Sequence, residues 1–230
     1  MYLSSIIKLR TTPEKDAATA LDKAVKGLGS NSMGTLKDVK AGVERASWYS
    51  SCLFDKYDDI CSELKGEDRR FIKAIFEIYK RKDVMADMMR MYVEAELNKL
   101  EQSRIQYMDQ KLANMLAGYS SGKLTKTAIA TSLSVLIVNS FSFKNEVLVR
   151  VNKYSIAIVT AASYYGKVQV AALASRRLQQ LSPQLYQLFY SNNIEMLYFL
   201  ISDSIDKALI SALGLSGENR IIAIIQSLTK

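Results

Sequence analysis

Thr127-Ala-Ile-Ala-Thr-Ser-Leu-Ser-Val-Leu-Ile-Val-Asn-Ser-Phe-Ser-Phe143 runs for 17 residues without a charge. Ten residues follow that carry Lys144, Asn145, Glu146, Arg150 and Lys153. Then Tyr154–Ser175 runs for 22 residues with Lys167 as its one charge. Both runs are apolar or small on every side, which a helix tolerates only when buried or inserted in lipid. At 1.5 Å per residue they measure about 25 and 33 Å, against a hydrocarbon thickness of about 30 Å. A polar linker between two such helices predicts an antiparallel hairpin. Glu146-Val-Leu-Val-Arg-Val151 also alternates in the manner of a strand, so a short β-hairpin stays open there. The expected fold is all-α: an irregular multi-helix bundle of about eight helices around a buried hydrophobic helical hairpin, with 125–215 as its apolar centre.

The flanking sequence supports helices. Thr12-Pro13-Glu14 is a cap followed by proline at the first helical position, so a helix is expected to about Lys26. Gly27–Gly34 then reads as a helix–helix connector, because it lacks the Gly-Lys-Ser/Thr ending of a phosphate-binding loop. Leu36, Val39, Val43, Ala46, Ser50, Leu53, Tyr57, Ile60 and Leu64 alternate spacings of three and four, which is one helical face. Trp48 lies off that stripe, and Gly66 fits the position that ends the helix. Residues 67–118 carry 19 charges, read as one long kinked helix or two nearly continuous ones, with a break at Asp83. Met85, Met88, Met89, Met91, Met108 and Met115 suit either a core or an adaptable binding surface. Ser182-Pro183 starts another helix, 194–212 forms the next up to Gly214, and a short final one covers Ile221–Leu228.

Charge divides the chain unevenly. Residues 1–124 hold 39 charged residues and 125–230 hold 15, the latter supplying a net +5 of the total +8. A charge-rich amphipathic part, 1–124, is therefore expected to wrap an apolar part, 125–230, in what is read as one compact domain. Arg69, Arg70, Lys73, Lys80, Arg81 and Lys82 interleave with Glu67, Asp68, Glu77 and Asp83, as on a solvated helix face. The basic balance favours an anionic membrane surface or an acidic protein partner, and no nucleic-acid-binding motif accompanies it.

The chain contains no histidine, which excludes histidine-dependent triads, bases and metal sites. Asp58 with Asp59, and Glu94 with Glu96, point away from each other on a helix, and Ser121 with Lys123 is a pairing in a loop. No catalytic residue, metal site or cofactor is assigned, no small-molecule cofactor is expected, and a non-enzyme is expected. Cys52 and Cys61 would stand about 13.5 Å apart along one helix, on opposite faces, so no disulfide is expected. The apolar start Met1–Ile7 is too short for a signal peptide and its cations follow it. A protein made soluble in the cytoplasm is expected, with secretion without a cleaved signal left open.

The hairpin is the sharpest feature. Its membrane-inserting candidates are Ile129, Leu133, Leu136, Ile137, Val138, Ile156, Ile158, Val159, Tyr164 and Val168. Lys123, Lys126, Lys144, Arg150 and Lys153 flank the apolar runs as candidate contacts to lipid head groups. Small residues such as Ala130, Ser134, Ala161 and Gly166 would allow close helix contact in lipid. In plan this resembles the pore-forming colicins and related helical toxins, which implies a soluble bundle that releases its hairpin into a membrane. The linker departs from that plan, since each of its charges costs roughly 2.5–3.5 kcal/mol at a bilayer centre. The expected function is a membrane-active effector or bacteriocin-like toxin. The alternative is a soluble helical binding module, such as an adaptor, an immunity protein or an effector chaperone, using 67–118 as its interface.

Overall fold

The computed structural model describes residues 3–10, 58–155 and 161–229, with side chains except at 9–10, 152–155 and 161–166. Among the described residues there are ten α-helices, two 3-10 segments and no strand. The helices are α1 (Leu3–Arg10), α2 (Asp58–Lys80), α3 (Val84–Leu97), α4 (Ile105–Met115), α5 (Lys126–Asn139) and α6 (Phe141–Ser155). They continue with α7 (Ala161–Leu181), α8 (Pro183–Ser191), α9 (Ser202–Ser211) and α10 (Gly217–Thr229). The 3-10 segments are Gln102–Arg104 and Glu195–Leu200. The fold is all-α, with more helices than the eight expected. The expectations on Thr12–Lys26, Gly27–Gly34, the stripe from Leu36 to Tyr57, Trp48 and Cys52 fall outside the described residues. So does the expectation that Cys52 and Cys61 stay apart; Cys61 itself is buried.

One hydrophobic core runs from Leu3 and Ile7 on α1 to Leu228 on α10. The charge-rich part does not simply wrap it. Helix α3 is among its most buried elements, with Met85, Met88, Met89, Tyr92, Val93 and Leu97 all inside, and α5 packs chiefly against it. Met108 on α4 is buried as well, and only Met115 stands half exposed. Apart from Met115, the methionines of this stretch fill core space.

Three boundaries differ from the sequence expectation. Gly66 lies inside α2 and does not end it. The buried face of α2 continues through Leu64, Phe71, Ile75 and Ile78, so packing overrides the weak helix propensity of glycine. The charged stretch breaks twice. Asp83 caps α3, its Oδ1 accepting from the backbone N–H of Met85 at 3.1 Å and of Ala86 at 3.0 Å. A second break, at 98–101, separates α3 from the 3-10 segment and α4. Residues 194–212 divide likewise, into the 3-10 segment and α9.

The largest difference lies in the hairpin. The first apolar run is broken at Ser140, whose backbone is extended. Its hydroxyl donates to the carbonyls of Ile137 at 2.8 Å and Leu228 at 3.0 Å. A serine that satisfies the last turn in this way competes with helix continuation. The polar linker is helix α6, not a turn and not a strand. Phe143, Val147 and Val151 recur every four residues on its buried side, while Val149 faces solvent. Both apolar runs do supply buried core, but α7 packs chiefly on the Glu195–Leu200 segment and α8.

Arg81 ties distant pieces together. It meets Glu77 at 2.9 Å and Asp87 at 3.0 Å, and its Nη2 donates to the Asn192 carbonyl at 3.2 Å. Its own carbonyl accepts from Lys8 Nζ at 3.0 Å, and the Tyr79 hydroxyl donates to the Lys8 carbonyl at 3.1 Å, which docks α1. Asn193 holds a φ of 56°, closing α8 so that Ile194 N–H reaches the Phe189 carbonyl at 3.0 Å.

Two outcomes are expected. Arg81→Met should lower unfolding stability by about 2–4 kcal/mol in urea titration, because it removes the guanidinium from Glu77, Asp87 and the Asn192 carbonyl and leaves Glu77 only the exposed Lys80, whereas Lys82→Glu at the exposed neighbour should stay within about 0.5 kcal/mol. Gly66→Ala should raise stability by about 0.5–1 kcal/mol, since its new Cβ meets only Arg70 Nη1 at 3.6 Å. A loss there would restore the helix-ending role.

Candidate functional site

Helix α5 begins at Thr125, whose Oγ1 accepts from the Ala128 N–H at 3.1 Å. Ile129, Leu133, Ile137 and Val138 are buried, and Leu136 packs partly buried against the core. The opposite face shows Thr131, Val135 and Asn139 to solvent. The helix is therefore uncharged on every side after Lys126. Its polar bonds to other elements lie at its two ends. Lys126 Nζ donates to the Leu100 carbonyl at 2.7 Å, Thr127 Oγ1 donates to the Glu94 carboxylate, and Ser140 reaches Leu228 as above. Between them Thr131, Ser134 and Asn139 bond only to backbone carbonyls of α5 itself.

The second set of candidates is only partly placed. Val168 on α7 is fully buried. Ile156, Ile158 and Val159 lie outside the described residues, as does the side chain of Tyr164. No described helix is by itself long and apolar enough to cross a membrane. Helix α5 and Phe141–Val151 reach that length and composition together, bent by 66° at Ser140.

The candidate head-group cations are engaged inside the fold. Lys123 donates to the Ser120 carbonyl and lies 4.2 Å from the Tyr119 ring centroid. Lys126 is held as described, and Lys144 is partly buried. Arg150 Nη1 donates to the Phe199 carbonyl at 2.7 Å, and its guanidinium pairs with Asp203. The Lys153 side chain lies outside the description. Glu146 accepts from Ser204 Oγ at 2.6 Å and from Lys207, so α6 is clamped to α9 by two charged contacts.

Sequence reasoning missed where the acids go. Among the described residues Glu67, Asp68, Glu77, Glu96, Asp109 and Glu195 are buried, against a single buried cation, Lys167. Besides Glu77 with Arg81, cations meet three of these carboxylates across the fold or along a helix. Glu67 faces Arg176 Nε at 2.8 Å, Glu96 faces Lys99 at 2.6 Å, and Glu195 faces Arg70 Nε at 3.1 Å. Asp109 accepts from the Tyr119 hydroxyl at 2.6 Å and the Gly122 and Lys123 N–H groups at 2.6 and 3.0 Å, pinning the 118–125 loop on α4. The signal was present in the spacing. Glu67 and Asp68 sit between Leu64 and Phe71 on the apolar face, and Asp109 sits between Ile105 and Leu112.

The candidate chemical pairs do not assemble. Asp58 and Asp59 are exposed. Glu94 bonds Arg90 at 3.2 Å while Glu96 turns to Lys99. Lys123 reaches the carbonyl of Ser120. Among the described residues no cluster of three or more acids and cysteines could hold a metal ion.

Two carboxylates respond to pH in opposite senses. Burial raises the Glu195 carboxyl above its ordinary value, against the pull of Arg70 and Lys73. The hydrogen bond from Arg150 holds Asp203 below its ordinary 3.8, so that pair's stability is full above 3.8 and is lost as the pH falls through the lower folded value. Asp203→Asn should thus lower Tm at pH 7 by about 1–3 °C, the worth of a partly exposed pair in a chain of this size, and the difference should close as the pH falls below 3.8 through the lower folded value. Thermal melts across that range check it. Compared with protein families, curated proteins and solved structures, the chain matches none.

Proposed function

We propose that the protein is a membrane-active helical effector or toxin, which keeps an apolar helix inside its folded bundle and delivers it to an anionic membrane. Helix α5 carries this reading. It is uncharged all round and is bonded by polar groups to its neighbours only at its ends. Its middle is held by apolar contact with α3 and the rest of the core. Lipid tails are as apolar as leucine, so such contacts exchange for lipid contacts at little cost. A helix stapled along its length by buried hydrogen bonds would lose those bonds on leaving.

Charge supports the choice of an anionic surface. The chain is +8 overall, and six of its acids are turned inward. In most of the pairs that join an acid to a lysine the cation is the more exposed partner, as with Lys80–Glu77, Lys99–Glu96 and Lys207–Glu146. The surface presented to a partner is thus more cationic than the sequence total suggests. The obstacle is α6. Glu146, Arg150, Lys144 and Lys153 make its passage through lipid costly, so α6 is assigned to the interface and α5 to the hydrocarbon.

Val135 tests this without touching the core, because it is half exposed on α5. Wild-type protein should release dye from phosphatidylglycerol vesicles. Val135→Lys should melt at the same temperature and release at most about a tenth as much, a charge at mid-helix costing roughly 2.5–3.5 kcal/mol in lipid. Full release by this variant would remove α5 from the mechanism. No release by the wild type at neutral or mildly acid pH would sink the membrane function itself.

A further inference from the structure

The end of α9 and the turn that leads to α10 expose three aliphatic side chains close together in sequence. Ile210 is 65% exposed, Leu213 72% and Leu215 42%. Exposed apolar surface contributes nothing to folding, so a group of three in one turn calls for a reason. The turn is braced. Gly214 and Gly217 hold φ values of 75° and 53°, the left-handed region that glycine adopts without strain. Leu213 and Leu215 N–H groups each reach a carbonyl at 3.2 Å, those of Ile210 and Ala212. Arg220 Nη1 donates to the Ala212 carbonyl at 3.4 Å, and Ser211 Oγ donates to Ala208 at 2.7 Å. Nothing stands within 4 Å of where a Cβ on Gly214 or Gly217 would lie, so the tip is open on its outer side.

Cations border this tip on three sides. Lys207 lies one helical turn before Ile210 on the exposed face of α9. From α4 and the segment before it, Arg104 meets Glu218 at 3.5 Å and Lys111 meets Asn219 at 3.5 Å, which brings both to the start of α10. Arg220 stands behind the turn. The neighbouring acids, Glu218 and Glu146, are each less exposed than the cation that pairs with them. Tyr107, half exposed under Lys111 at 5.7 Å, adds an amphipathic ring.

We propose that Ile210, Leu213 and Leu215 form a docking tip that enters the head-group layer of an anionic membrane, with Arg104, Lys111 and Lys207 on the lipid phosphates. Leucines inside a ring of cations match a surface that is apolar beneath and anionic above. A nucleic acid would use the cations and leave the leucines in water. The inference rests on the membrane function proposed above, and it separates docking from insertion: the tip binds first, and α5 enters afterwards.

The experiment is co-sedimentation of the full chain with vesicles of phosphatidylglycerol and phosphatidylcholine, beside pure phosphatidylcholine. Leu213→Ser with Leu215→Ser should melt like the wild type and bind the anionic vesicles at least about tenfold more weakly. Wild-type binding should fall steeply with added salt and be weak on pure phosphatidylcholine. Equal binding by the leucine double variant would overturn the tip and leave the membrane function standing. Equal wild-type binding to both lipids would overturn the role of the cations. No wild-type binding to either would overturn both the tip and the function, and capture by single-stranded RNA instead would give the cationic surface to nucleic acid.

Discussion

A carboxylate taken out of water is costly unless a cation or several N–H and O–H donors meet it, and this bundle buries six of them among its described residues. Much of the architecture follows from supplying those partners. Arg176 on α7 comes to Glu67 on α2, Arg70 on α2 comes to Glu195, and Arg220 on α10 approaches Glu96 on α3 at 3.7 Å. Each of these contacts joins elements far apart in sequence. They fix which helix lies beside which, a task that apolar packing alone does loosely because it has no direction. Asp109 does the same locally, converting the 118–125 loop into a fixed entry to α5. The outward consequence is electrostatic. Among the described residues, the cations that meet Glu67, Glu77, Glu96 and Glu195 are more exposed than those acids.

The same contacts make some regions firm and others easier to open. Arg81 gathers α1, α2, α3 and the end of α8 through groups that are themselves part-buried. The α6–α9 clamp is different, because the Asp203 side chain is about half exposed and Lys207 more so. Water and salt screen such pairs. Acid acts on two of the carboxylates in opposite directions. Protonation removes the Asp203 contribution, yet it relieves the cost of the buried Glu195. On α9 itself the two acids differ, since burial raises Asp206 as it raises Glu195 while the Arg150 hydrogen bond lowers Asp203.

The helical class was legible from the spacing of apolar residues, and the break at Asp83 from the way Arg81-Lys82-Asp83 interrupts the apolar pattern. That both apolar runs contribute buried residues, Ile129, Leu133 and Ile137 in the first and Val168, Ala171 and Ala172 in the second, fits their lack of charge. What escaped were events in which one serine or one glycine is decided by its surroundings. Ser140 ends α5 because its hydroxyl has the Leu228 carbonyl to bond, and that partner is 88 residues away. Gly66 stays helical because the face formed by Leu64, Phe71 and Ile75 has a core to bury against. The valines at 147, 149 and 151 fit a strand by alternation, and only Phe143, four residues before Val147, marks them as helical. The buried acids escaped for another reason. Charge was assigned to solvent by type, although their positions lie on the apolar period. The exposed leucines of the α9–α10 turn were equally out of reach, since 213 and 215 look like the end of an apolar stripe until the turn is seen to lift them out.

Under the proposed membrane function, helix α5 and the tip would hold apolar groups for lipid in two different ways. Leu213 and, in part, Leu215 already stand in water, so moving them into a head-group layer gains the transfer free energy of the area they expose. Ile129, Leu133 and Ile137 are already out of water, so moving them into hydrocarbon gains almost nothing. A membrane step that depended on α5 alone would lack a driving force at first contact. A step that depended on the tip alone would dock without perturbing the bilayer. The two are complementary in the order tip first and α5 second, with the gain from docking and from cations on lipid phosphates set against the three polar contacts that hold the ends of α5.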